Sequence, residues 1–289
     1  MAAAVAAACH GGERPGTLAR LRPACDGAAY WDGAACQPRG DAAAKVTAGK
    51  QALAKLDVDA ARASLEAADR GGPLDHDTHV TLWEQRGIAA AYVNDEPAAT
   101  AAFDMLLALD PGHFLSYTLS PKATFVFEKV RNDARARGVP ALDVSWPHGQ
   151  RVGAPLPIDL SVVADPKQFL RRATLFVRAR GDAAWRATDI PLAGASEHRV
   201  VLPPVAAQKP VSLELYARGY DDRGNEVLRW ADPVRPREIP LRYDPPTPWY
   251  RSGWFYLAVG TVVTVSAAAT VYELTLAPPD KISGGVTVK

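Results

Sequence analysis

Residues 80–113, VTLWEQRGIAAAYVNDEPAATAAFDMLLALDPGH, decide how the first half of the chain folds. Trp83, Gly87, Ala99, Phe103 and Pro111 are spaced as two successive helices need if they are to pack face to face. Gly87 and Ala99 are small where two antiparallel helices cross closely. Trp83 and Phe103 are large enough to fill the space between helices, and close packing rewards that filling. Pro111 has no amide hydrogen to continue the ladder and so stops the second helix. Shifted back by 38 residues the pattern returns, with Gly49, Ala61, Leu65, Ala68 and Pro73 in the places of Gly87, Ala99, Phe103, Leu106 and Pro111.

These spacings resemble those of the tetratricopeptide repeat, and residues 42–113 read as two such units, with an unrelated helical hairpin domain as the alternative. The four residues beyond the usual repeat of about 34 fall in the loop around Gly71 to Asp77. Three positions depart from the family pattern. Lys45 stands where the first unit would carry Trp, Arg86 where the second would carry an apolar residue, and Ala90 where an aromatic is common. A further helix is expected at 120–137, capped by Ser120 with Pro121 in its first turn. Phe125, Val126 and Val130 would cover the end of the stack, because such repeats bury their apolar faces only against neighbours. The resemblance implies a helical-hairpin array whose concave face binds proteins or peptides and does no chemistry. It places Glu84, Arg86 and Tyr92 on that face as partner-binding residues.

Outward from the helices, residues 139–243 change period. Candidate strands are 141–146, 156–163, 172–179, 184–190, 197–202, 211–219 and 226–231. Ile158, Leu160 and Val162 alternate with outward-facing residues, as do Leu213, Leu215 and Ala217, which puts one face of each strand inward. Asp222-Arg223-Gly224-Asn225 is a turn signal between two of them. Seven short strands over this length suggest an immunoglobulin-like or fibronectin-like β-sandwich.

At the other end, GWFYLAVGTVVTVSAAATVY (253–272) has no charge, Asn, Gln or Pro. A helix of that length spans roughly 30 Å, about the thickness of a bilayer's hydrocarbon core. Trp249, Tyr250, Trp254 and Tyr256 crowd one end and Tyr272 marks the other, as in an aromatic belt. The competing reading is a buried core helix. Gly260, Thr264 and Ala268 recur every fourth residue, a spacing that lets two helices approach closely and suggests a homodimer. Lys and Arg are balanced on the two sides, so they do not orient the helix.

All three cysteines, Cys9, Cys25 and Cys36, lie at the start of the chain. Cys25 and Cys36 bracket a Gly-rich loop; bridged, they would point to an oxidising compartment. Ala6-Ala7-Ala8 before Cys9 fits the end of a secretion signal, a lipoprotein site with Cys9 as the lipidated residue, or an Ala-rich tail.

Chemistry-bearing motifs are sparse. Asp75-His76-Asp77-Thr78-His79 groups metal-ligand types, but at a helix start its carboxylates read first as caps. No nucleophile, phosphate-binding or dinucleotide motif is present. The net charge of +1 gives no basic face for nucleic acid. The expectation is therefore a non-enzymatic, single-pass bacterial envelope protein without cofactor or metal, its bulk in the periplasm. Its parts are an export remnant and disulfide-looped linker (1–40), a tetratricopeptide-like helical domain (41–138), a β-sandwich (139–243), a Pro-rich linker (244–252), a transmembrane helix (253–276) and a short tail (277–289). It would act as a scaffold or adaptor, recruiting a protein or peptide partner through the helical domain. The alternative is a sandwich that binds a carbohydrate or cell-wall polymer, with Trp146, Trp185 or Trp230 as stacking platforms.

Overall fold

A computed structural model describes residues 16–276, apart from 117, 139, 164, 166, 167, 193–196, 246, 247 and 252. The expected export site at Ala6–Ala8, lipidated Cys9 and the tail 277–289 lie outside the described residues. Two compact units are present, Met1–Tyr243 and Asp244–Lys289.

The helices of the first unit follow the spacing read above. α1 (Ala42–Ala54) and α2 (Val58–Arg70) form one hairpin, and α3 (His76–Tyr92) and α4 (Glu96–Leu109) form the second. The two hairpins repeat down to their turns. Leu56 and Asn94 both take positive φ, 61° and 59°. Asp57 and Asp95, one residue later, each cap the following helix by accepting from the backbone N–H of Ala60 and Ala98. Ala61, Leu65 and Ala68 are buried as fully as Ala99, Phe103 and Leu106. The crossings are close: a Cβ on Gly87 would stand 2.3 Å from Phe103 Cε1, and one on Gly49 would stand 2.7 Å from Leu65.

α5 (Pro121–Arg137) caps the stack with Val126 and Val130, as expected, but not with Phe125. Phe125 is 71% exposed, while Phe127 is fully buried and meets Phe103 edge-to-face at 5.4 Å. The buried stripe is Ala123, Val126, Phe127, Val130 and Ala134, which holds helical phase; Phe125 falls off it.

Among the described residues most strands build two large sheets. In the first, β6 (Leu156–Val163) lies between β5 (Ala141–Ser145) and β9 (Glu197–Leu202), antiparallel to both. In the second, β7 (Arg172–Ala179) pairs with β8 (Arg186–Pro191) and with β10 (Val211–Tyr220). The far edge of β10 is shared by β12 (Arg237–Leu241) at Val211–Leu215 and by β11 (Glu226–Trp230) at Ala217–Tyr220. Ile158, Leu160 and Val200 from one sheet and Leu175, Leu213, Leu215 and Ile239 from the other share one core, so the region is a β-sandwich.

The segment read as a linker is part of that sandwich. β1 (Thr17–Leu18) pairs in parallel with β9, and β2 (Arg22–Pro23) pairs antiparallel with β8, so the chain crosses from one sheet to the other. β3 (Ala29–Trp31) and β4 (Cys36–Pro38) form a hairpin. A disulfide joins Cys25 to Cys36 with their Cα atoms 5.6 Å apart.

The helices and the sandwich are joined through the loop between the hairpins. Leu74 donates its N–H to Asn225 Oδ1 at 2.9 Å, and its carbonyl accepts from Glu226 N, also at 2.9 Å. Val80 and Trp83 touch both the helical core and the sandwich core. The residues between α2 and α3 thus serve as a docking segment.

In the second unit, α6 (Gly253–Leu276) is a single helix. Its Gly253–Tyr272 stretch, of mean hydropathy 1.6, is long and apolar enough to cross a membrane and is not buried within the protein. Its hydroxyls are satisfied inside the helix: Thr261 donates to Leu257 O, Ser266 to Val262 O and Thr270 to Ser266 O, at 2.8–2.9 Å. These bonds remove much of the cost of placing Ser and Thr in hydrocarbon.

Candidate functional site

The second hairpin and α2 enclose a groove of about 460 Å³. α2 contributes Arg62, Leu65 and Glu66; α3 contributes Trp83, Arg86, Ala89 and Ala90; α4 contributes Ala98, Ala101 and Ala102. Helix-forming alanines pack closely without filling the valley between helices, which leaves an apolar floor under charged walls.

Arg86 is held at one side of this groove. Its guanidinium lies 4.5 Å from the Trp83 ring centroid, and Nη1 donates to Asp69 Oδ2 at 2.7 Å. Asp69 also accepts from Arg223 Nη1 of the sandwich turn at 3.1 Å, so one carboxylate serves two arginines. Glu66 faces Arg70 at 3.5 Å. Among the described residues no carboxylate pairs with exposed Arg62.

The three partner-binding residues expected from the resemblance are not gathered in one place. Arg86 lines the groove. Tyr92 packs, half-buried, against the helical core. Glu84 stands 3.9 Å from His113 Nε2, outside hydrogen-bonding distance, while Asp110 reaches His113 Nδ1 at 3.2 Å. The Glu84 carboxylate foremost, with Asp110 beside it, holds the His113 imidazole above its ordinary pKa against the opposing effect of burial.

The Asp75–His79 cluster is dispersed among four partners. Asp75 caps α3, accepting from Thr78 N at 3.0 Å and Thr78 Oγ1 at 2.8 Å. Asp77 takes a bidentate contact from Arg229 of the sandwich at 2.9 and 3.1 Å. His76 Nε2 lies 3.1 Å from Leu109 O, and His79 Nδ1 lies 3.2 Å from Glu226 O. Burial holds His79 below its ordinary pKa, which favours the neutral ring. The Asp77 and His79 contacts dock α3 on the sandwich, a role that only the fold exposes because Glu226 and Arg229 are some 150 positions away.

The sandwich tryptophans sit differently from free platforms. Trp146 and Trp230 meet edge-to-face at 6.4 Å. Trp185 stands edge-on to Tyr216 at 4.7 Å, and the Arg178 guanidinium lies 4.2 Å over its ring. A second cleft, of about 790 Å³, runs along the edge crossed by the N-terminal strands. Its Arg22 is paired with Asp189 at 2.9 Å and lies 4.0 Å over Trp31.

No protein-family model matches the chain, and no curated protein matches it by sequence. Among solved structures, the CARDB domain of the PF1109 protein from Pyrococcus furiosus, in complex with di-metal ions, is similar at 11% identity. The match covers 36% of this chain and 89% of that one, with a TM-score of 0.26. A cohesin module from a family 33 glycoside hydrolase of Clostridium perfringens ATCC13124 is similar at 10% identity, covering 37% of this chain and 98% of that one, with a TM-score of 0.25. Both are β-sandwich domains. At these scores the likeness carries no statement about function.

Proposed function

We propose that the chain is a membrane-anchored adaptor of the bacterial envelope. Its tetratricopeptide-like hairpins bind a protein or peptide, its sandwich is immunoglobulin-like, and its C-terminal helix is the anchor. The observation that carries this reading is the groove between α2, α3 and α4. It combines an apolar alanine floor with arginine and tryptophan at its side, two residue types enriched at the centre of protein interfaces. The disulfide accords with an oxidising compartment, and the self-satisfied hydroxyls of α6 accord with a lipid-spanning helix.

The test is photo-cross-linking of the full chain in cells. The probe is placed at Ala101 on the groove wall, with a control probe at exposed Ala54 on α1. The expected result is a discrete adduct from position 101 whose identified protein, once purified, binds the full chain. Equal or absent adducts at both positions would refute the adaptor reading.

A further inference from the structure

The two residues at which the second hairpin departs from its family pattern, Arg86 and Ala90, both line the groove. An aromatic at 90 would fill from within the space that Ala90 leaves open. The alanine methyls offer apolar surface and keep no long side chain there to exclude a guest. An aromatic ring is the side chain that gains most from such a seat, burying about 150–250 Å². The charged walls choose its neighbour. Glu66 is engaged by Arg70, and Arg86 is shared with Asp69, while no carboxylate among the described residues meets Arg62. The surplus is therefore positive. Guanidinium forks favour a carboxylate and repel a basic residue.

We infer that the groove receives an aromatic side chain of a peptide partner that carries a carboxylate beside it. The ring rests on the alanine floor and the carboxylate meets Arg62 and Arg86. This rests on the adaptor reading and specifies its ligand. A plain packing void is the competing account.

The experiment selects a phage-displayed random peptide library on the full chain in phosphatidylcholine nanodiscs. Selected peptides are then synthesised and titrated against the wild type, Ala90→Phe, Ala101→Glu and Arg62→Gln. The enriched sequences should carry Phe, Tyr or Trp within three positions of Asp or Glu. Ala90→Phe should weaken them tenfold or more by filling the seat. Ala101→Glu lies at an exposed position and so spares the fold; it should do the same by repulsion. Arg62→Gln should weaken only peptides that keep the carboxylate, by about three- to tenfold. Enriched peptides that lack this pairing, or that bind Ala90→Phe and Ala101→Glu undiminished, would overturn the inference and leave the adaptor reading standing. A library from which nothing is enriched above empty nanodiscs would overturn both.

Discussion

Replacing Gly87 by Ala tests the closeness of the helical crossing. The added Cβ would stand 2.3, 2.5 and 2.8 Å from three ring carbons of Phe103, against ordinary carbon contacts of about 3.5–4.0 Å. Phe103 has no room to yield, being fully buried and braced at 5.4 Å by Phe127. Overpacking of this kind costs about 1–3 kcal/mol, and a clash of more than an ångström with a rigid ring belongs at the upper end. The better helix propensity of Ala returns about 1 kcal/mol. The net expectation is a loss of about 2 kcal/mol, read as a lower urea midpoint with unchanged slope by far-UV circular dichroism. Phe103→Leu should cost stability alone yet recover part of the loss in combination with Gly87→Ala, a coupling of opposite sign to simple addition. Gly49→Ala should be milder, since its nearest atoms belong to a flexible leucine at 2.7 Å. A Gly87→Ala protein as stable as the wild type would refute the packing argument.

Leu56 holds a left-handed conformation at φ 61°, where its counterpart Asn94 is the favoured residue type, and it is 73% exposed. Leu56→Asn should therefore raise stability by about 1 kcal/mol in the same urea titration. The two shifted histidines should pull stability in opposite directions with pH. The contribution of His113, whose folded pKa is raised, is complete below its ordinary value of 6.5 and is lost as pH rises through the folded pKa. That of His79, whose folded pKa is lowered, is complete above 6.5 and is lost as pH falls toward the folded pKa. Midpoints of His113→Gln measured from pH 5 to 8 should thus lack the wild type's loss on the alkaline side, and identical profiles would contradict the assignment. Arg86→Glu should lower the melting temperature, because it removes one of the two arginines on Asp69 and sets a second carboxylate against it; Arg86→Gln is the variant that keeps the fold.

Much of the fold was legible because its signals are local. The period-two run at Leu156–Val163 buries alternate residues, Leu213, Leu215 and Ala217 alternate into the same core, and the small residues Gly49 and Gly87 mark crossings that nothing larger fits. β12 leaves too short a periodic signal to read, because Arg237, Glu238 and Pro240 surround only two inward residues, Ile239 and Leu241. β1 and β2 are two residues each, too short to show a period, and exist because the edges of β8 and β9 accept them. Phe125 lies one step of helical phase off the stripe that Val126 and Val130 keep. As for the site, Arg86 and Ala90 stood out as departures from a pattern, but their meeting with Arg62 depends on how hairpins stack. The docking role of Asp77 and His79 could not be read locally, since its partners arrive from β11.

The placement on which the adaptor account stands is tested most directly by thiol labelling in intact cells. A Cys9→Ser chain, which leaves only Cys25 and Cys36, is treated with a membrane-impermeant maleimide before and after reduction. The account predicts labelling of intact cells only after reduction, with the folded body outside the cytoplasm and the bridge formed. Labelling that needs lysis but no reductant would contradict it and place the body in the cytoplasm with free thiols.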